Sequence, residues 1–137
     1  MSEQEIKDLE AVAIFMDGIR QPNSYNHELT EKIFGRPKHW LIPHFGYFDT
    51  EYLKYHYSWD WLIPVVEKIE SIEKPRKDNP SYNYTPFRVD QINRNMVEIL
   101  EDGEISRSFV GEENLTKIQA LYKAIVNFIH WYNENKS

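Results

Sequence analysis

His39, His44 and His56 fall close together in the sequence, with Asp49, Glu51 and Asp60 among them. Imidazole and carboxylate are the ligands that hold zinc and similar divalent ions, and a bound ion would activate water for hydrolysis. One arrangement these residues could serve is therefore a small metal-dependent hydrolase built on His44, His56 and Asp60. Their spacing fits no established ligand pattern. The competing reading is that the histidines border packed aromatic rings and hold no metal. His27 and His130 stand apart from this group. With 22 acidic residues in the chain, neighbouring carboxylates are expected by chance and do not single out an acid–base pair.

Motifs for other chemistries are missing. The five glycines, Gly18, Gly35, Gly46, Gly103 and Gly111, are too scattered to build a dinucleotide loop or a P-loop. There is no Gly-x-Ser-x-Gly elbow and no His-Glu-x-x-His. Without cysteine, the chain cannot be a disulfide scaffold, a thiolate zinc finger or a thiol enzyme. The sequence assigns no cofactor and points away from an enzyme.

The densest chemical feature is aromatic. Nine of the twenty aromatic residues fall between Trp40 and Trp61: Trp40, Phe45, Tyr47, Phe48, Tyr52, Tyr55, Tyr57, Trp59 and Trp61. An aromatic side chain buries ~150–250 Å², so leaving half of this area in water would expose roughly 700–1,100 Å². That exceeds the patch a monomer usually shows. The segment must supply core, an interface or a pocket wall. Tyr and Trp outnumber Phe in it, and their polar tips suit a half-wet contact surface. The candidate binding residues are Trp40, His44, Phe45, Tyr47, Phe48, Tyr52, Tyr55, His56 and Trp59. The partner expected is a protein or a small ligand. A second copy of the chain, pairing aromatic face to aromatic face as a structural homodimer, is a further alternative.

Charge narrows the partners. The formal net charge is −6, which disfavours nucleic acid, because phosphate binding needs a basic surface. Lys32, Arg36 and Lys38 are the basic residues nearest the aromatic segment. From Glu98 to Glu113 there are six acids and only Arg107 as a base, a local charge of −5. Lys74, Arg76, Lys77 and Arg88 form a contrasting basic stretch, readable either as an anion contact or as ordinary solvated charge. No apolar run approaches the ~20 residues needed to span a bilayer, so no membrane association is expected. The polar, acidic start Met1-Ser2-Glu3-Gln4-Glu5 is the reverse of an export signal, and a cytoplasmic location is expected.

The elements that must position these residues follow from periodicity. Ile6, Leu9, Ala13 and Met16 predict a helix over Gln4 to Met16, capped by Ser2 and ended at Asp17-Gly18 by a left-handed glycine. Ile19 to Lys38 reads as irregular, with a short helical turn at Glu28 to Phe34. His39 to Ile42 and Tyr52 to Tyr57 read as short strands, with a turn at Gly46. Trp61, Leu62, Val65, Ile69 and Ile72 share a helical face, and Pro64 predicts that the regular helix begins near Asp60. Glu73 to Thr85 reads as a linker.

Beyond the linker the period falls to two. Strands are predicted at Phe87 to Ile92, Met96 to Leu100 and Glu104 to Val110, the last two joined by an Asp102-Gly103 turn. A long helix over Glu113 to Asn133 closes the chain, with Leu115, Ile118, Tyr122, Ile125, Ile129 and Tyr132 as its stripe, widened by Leu121, Phe128 and Trp131 so that most of the helix should be buried. The expected fold is α+β: a single domain of 137 residues in which an antiparallel meander of at least three strands packs with N-terminal, central and C-terminal helices.

Two segments carry a resemblance. Tyr55-His56-Tyr57-Ser58-Trp59-Asp60-Trp61-Leu62-Ile63-Pro64-Val65-Val66-Glu67-Lys68-Ile69-Glu70 is the first, and Lys117 to Asn133 the second. Together they resemble small uncharacterised proteins of bacterial genomes and prophages, of the phage ABA sandwich domain type. The resemblance implies an α/β sandwich and a mobile-element origin. It implies no activity and no catalytic residues. It fades over Ile19 to Tyr52, where most of the aromatic segment lies.

Overall fold

The computed structural model describes residues 2–21, 39–93, 96–102 and 115–135. The chain is α+β and divides into two compact units, Met1–Leu53 and Lys54–Ser137.

The first unit opens with α1, Glu3–Phe15. The Ser2 hydroxyl accepts from the Glu5 backbone N–H at 3.1 Å, and Glu3 and Glu5 sit at the positive end of the helix dipole. Its far end is a Schellman motif. Asp17 N–H donates to the Ile14 carbonyl at 3.0 Å and Gly18 N–H to the Ala13 carbonyl at 2.7 Å. The left-handed residue is Asp17, at φ 63°, and not Gly18 as the sequence predicts. Glycine is needed at 18 for space. A Cβ there would stand 2.7 Å from the Ala13 carbonyl oxygen and 3.0 Å from Ile42 Cδ1.

Three short strands follow: β1 Ile19–Gln21, β2 His39–Ile42 and β3 Gly46–Asp49, antiparallel in the order β1-β2-β3. Only β2 was legible as a strand. β1 falls in the stretch expected to be irregular; the remainder of that stretch, with the predicted turn Glu28 to Phe34, lies outside the described residues. Pro43 and His44 make the link between β2 and β3, with Phe45 N–H closing on the Ile42 carbonyl at 3.1 Å. Pro43 supplies the fixed φ of the second turn position. His44 takes φ 71° at the third, as a type II turn demands. The predicted strand over Tyr52 to Tyr57 does not form. A single 3₁₀ turn, Thr50–Tyr52, replaces its start. Tyr57 and Ser58 both donate to the Lys54 carbonyl, so a local turn satisfies backbone groups that a strand would pair with a neighbour.

Alternation sorts the three-stranded sheet. Trp40 and Ile42 are buried with Leu9, Val12 and Ala13 of α1 and with Leu53, forming the core of this unit. The Trp40 indole N–H donates to the Thr50 hydroxyl at 2.9 Å, and both residues are buried.

The second unit starts with α2, Trp59–Glu70, one residue ahead of the predicted start at Asp60. Trp61 and Leu62 both donate to the Ser58 carbonyl. Pro64 stands within the helix, where a proline costs up to ~3 kcal/mol. Leu62, Val65 and Ile69 are fully buried on the same helix. At about 1.5–3 kcal/mol each, their burial outweighs that penalty.

The expected linker contains a two-stranded ribbon, β4 Lys74–Pro75 with β5 Asn83–Tyr84. Next come β6 Phe87–Asn93 and β7 Met96–Glu101, paired with Phe87 opposite Glu101 and Val89 opposite Ile99. Phe87, Val97 and Ile99 turn inward. The predicted return strand, Glu104 to Val110, lies outside the described residues. The described hairpin is therefore two-stranded, and the three-stranded sheet belongs to the first unit instead. Asp102 adopts φ 57°, the conformation predicted for the first residue of the Asp102-Gly103 turn.

The last helix, α3, spans Lys117–Asn135. A capping box opens it: Gln119 N–H meets the Thr116 hydroxyl at 3.4 Å, and the Gln119 side-chain oxygen accepts from Thr116 N–H at 2.9 Å. Its fully buried line runs through Ala120, Ala124, Ile125, Phe128 and Ile129. Of the predicted face, Leu121, Ile125, Phe128 and Ile129 are buried, and Ile118, Tyr122, Trp131 and Tyr132 are half-buried. Among the described residues, no helix is long and apolar enough to cross a membrane.

Candidate binding surface

The aromatic segment is neither all core nor all surface. Trp40, Tyr55 and Trp61 are buried, Phe48 is half-buried, and Phe45, Tyr47, Tyr52, Tyr57 and Trp59 are exposed. Burial takes Trp40 and Tyr55 off the candidate surface and makes them core. The remaining candidates divide between the two units.

In the first unit the strand register builds one continuous row. Ile19 stands opposite Leu41, and Leu41 opposite Tyr47, so the three side chains share one face of the sheet. Ile19 is 59% and Tyr47 62% exposed, and Leu41 is half-buried. Tyr47 and Asp49 point to this same face, while Gly46 and Phe48 face the other way, as the alternating burial of β3 records. Phe45, on the hairpin turn, and Tyr52, just past β3, are exposed as well, as are His44 and Glu51. The result is an apolar and phenolic surface with carboxylates beside it, on strands fixed by cross-strand pairing.

In the second unit the aromatics do structural work. Tyr55 meets Trp61 edge-on with centroids 4.9 Å apart. Its hydroxyl has no hydrogen-bond partner among the described residues, and burial pushes the phenol well above its ordinary pKa. His56 is half-buried against the rings of Tyr57, at 4.7 Å, and Tyr122, at 6.1 Å. A further cluster was not singled out in the sequence. Phe87 packs on Phe128 at 4.9 Å, and Phe128 stacks on Tyr132 at 5.7 Å. Lys74 Nζ lies 5.1 Å from the Phe87 ring centroid and 2.6 Å from a Glu101 carboxylate oxygen. The signal was present as aromatics four residues apart on α3, but their partner on β6 is a long-range choice.

The basic stretch is largely neutralised from within. Lys74 pairs with Glu101, Arg76 with Asp78 through two bonds of 3.0 Å, and Arg88 with Asp90 at 2.9 Å. Arg76, Lys77, Asp78, Tyr84 and Asp102 surround an open hollow of about 380 Å³, with as many acids as bases. Tyr84 donates to Asp102 at 3.3 Å; this bond, then partial desolvation and the charges of Asp102 and Glu101, raise its phenol above its ordinary pKa. An anion finds no net positive field there.

Among the described residues no group of three His, Asp or Glu side chains could hold a metal ion. His44 and Asp60 are exposed, and the side chain of His39 lies outside the description. Compared with protein-family models, curated proteins and solved structures, the chain matches none.

Proposed function

We propose that the chain is a non-enzymatic binding module that engages a protein partner through the outer face of the sheet in its first unit. The observation that carries this is the row of exposed Ile19, half-buried Leu41 and exposed Tyr47, with Phe45 and Tyr52 also exposed. Tyrosine and phenylalanine gain most when a partner dries them, and they are the residue types enriched at interface centres. The exposed Glu51 favours a partner whose apolar contact is bordered by basic residues. The hydrolase alternative draws on His44, His56 and Asp60, and no metal-holding group among the described residues supports it. The prophage origin belongs to this proposal and rests on residues 55–70 and 117–133 alone.

The test is a matched pair of variants. Tyr47→Lys combined with Tyr52→Lys alters only exposed positions, so the thermal midpoint should stay within a few degrees of the parent. Recovery of the partner bound to the parent chain should fall by about tenfold or more, the scale of losing an interface anchor. Equal recovery by both proteins would exclude this face.

A further inference from the structure

The second unit holds a groove that no motif announced. Trp59, Ile63 and Val66 line it from α2 at the i, i+4, i+7 spacing of one helical face. Val97 of β7 contributes from the hairpin, and Leu121 and Lys117 from α3. Its volume is about 180 Å³. An apolar cavity of about 150 Å³ is enough to take a benzene ring. Trp59 and Ile63 remain 43% and 45% exposed although they line the groove, so the chain's own side chains leave it incompletely covered. Among the described residues Lys117 is the one charged residue in the lining; it is exposed and occupies the first position of α3, where the helix dipole is also positive.

We propose that this groove binds a small carboxylate with an apolar body about the size of one aromatic ring. The ring would lie among Trp59, Ile63 and Leu121, and the carboxylate would be held by the Lys117 ammonium. An uncharged ligand of the same shape would bury the same area and forgo the ion pair. A dication would meet a charge of its own sign at Lys117, and a polyphosphate would exceed both the volume and the single positive charge. This site is built from residues of the second unit alone and is tested independently of the proposed sheet face of the first.

The test titrates the full chain with benzoate and, in parallel, with benzyl alcohol. It follows the indole N–H signals by two-dimensional NMR, with the Trp59 signal identified by its loss in Trp59→Phe. Benzoate should shift the Trp59 signal saturably, with a Kd on the order of 1 mM for so small a ligand. Benzyl alcohol should bind several-fold more weakly. Lys117→Glu should weaken benzoate by about five- to tenfold and leave benzyl alcohol unchanged. Val66→Phe, which fills the groove, should abolish both responses, and an unaltered amide spectrum for α3 would show that the fold is kept. No saturable shift with benzoate, or a benzoate Kd indifferent to Lys117→Glu in a folded variant, would overturn the proposal.

Discussion

The indole N–H of Trp40 donates to the Thr50 hydroxyl across 2.9 Å, with both residues buried. The bond joins the central strand of the three-stranded sheet to the turn that follows it, and so holds β3 between two fixed points. Thr50→Val keeps the shape and removes this acceptor. It should cost about 1–3 kcal/mol, the range for disturbing a buried polar pair. Thr50→Ser should retain most of the stability. Urea unfolding of both variants checks this, and a neutral Thr50→Val would show that the bond contributes nothing.

Tyr55 makes a prediction in pH. Burial holds its phenol above the ordinary value of 10.0, so the folded chain keeps a proton that the unfolded chain releases. Its contribution is constant below about pH 10. Above that, stability falls with rising pH, by up to about 1.4 kcal/mol per unit. Tyr55→Phe should flatten this alkaline decline. At neutral pH it should be neutral or mildly stabilising, within about 1 kcal/mol, because the hydroxyl it removes has no partner among the described residues. Denaturation midpoints of both proteins from pH 8 to roughly pH 11 measure the difference.

Gly18 should resist substitution. The Cβ of Gly18→Ala would press within 2.7 Å of the Ala13 carbonyl oxygen, and both that oxygen and Ile42 Cδ1 are held by their elements. A loss of about 1–3 kcal/mol is expected, the usual cost of forcing atoms into a packed site. Gly46→Ala should also destabilise, for a different reason: space is open there, but φ is +102°. A thermal melt of each separates the two causes if Gly46→Asn recovers stability and Gly18→Asn does not, since asparagine tolerates left-handed backbone but not a clash.

Long periodic stretches made α1, α2, α3 and the β6–β7 hairpin legible. Leu9, Val65 and Ile125 each recur at helical spacing with a buried neighbour, and Val97 and Ile99 alternate. Strands of three or four residues such as β1 and β3 are too short to show a period, and their pairing with β2 is a long-range choice. The start of α3 could have been placed better: Thr116-Lys117-Ile118-Gln119 is a capping box, visible in sequence as Thr followed three residues later by Gln. The aromatic density from Trp40 to Trp61 covers a segment of both buried and exposed rings. Which rings face water depends on strand phase at Tyr47 and Phe48, and that phase is fixed only by the β2 register. The groove at Lys117 was not legible, because it gathers residues from α2, β6, β7 and α3, far apart in the chain.

The central claim is that the Tyr47 face meets a protein partner. Photo-crosslinking from a benzophenone side chain tests it most directly, placed at Tyr47 or, as a control, at the exposed Asn127 of α3, in extract of cells that naturally carry the protein. The account predicts a discrete adduct from position 47 that is competed away by unlabelled parent chain but not by Tyr47→Lys. An adduct of twice the chain mass would make that partner a second copy. The contradicting result is no adduct from position 47, or the same adducts from positions 47 and 127.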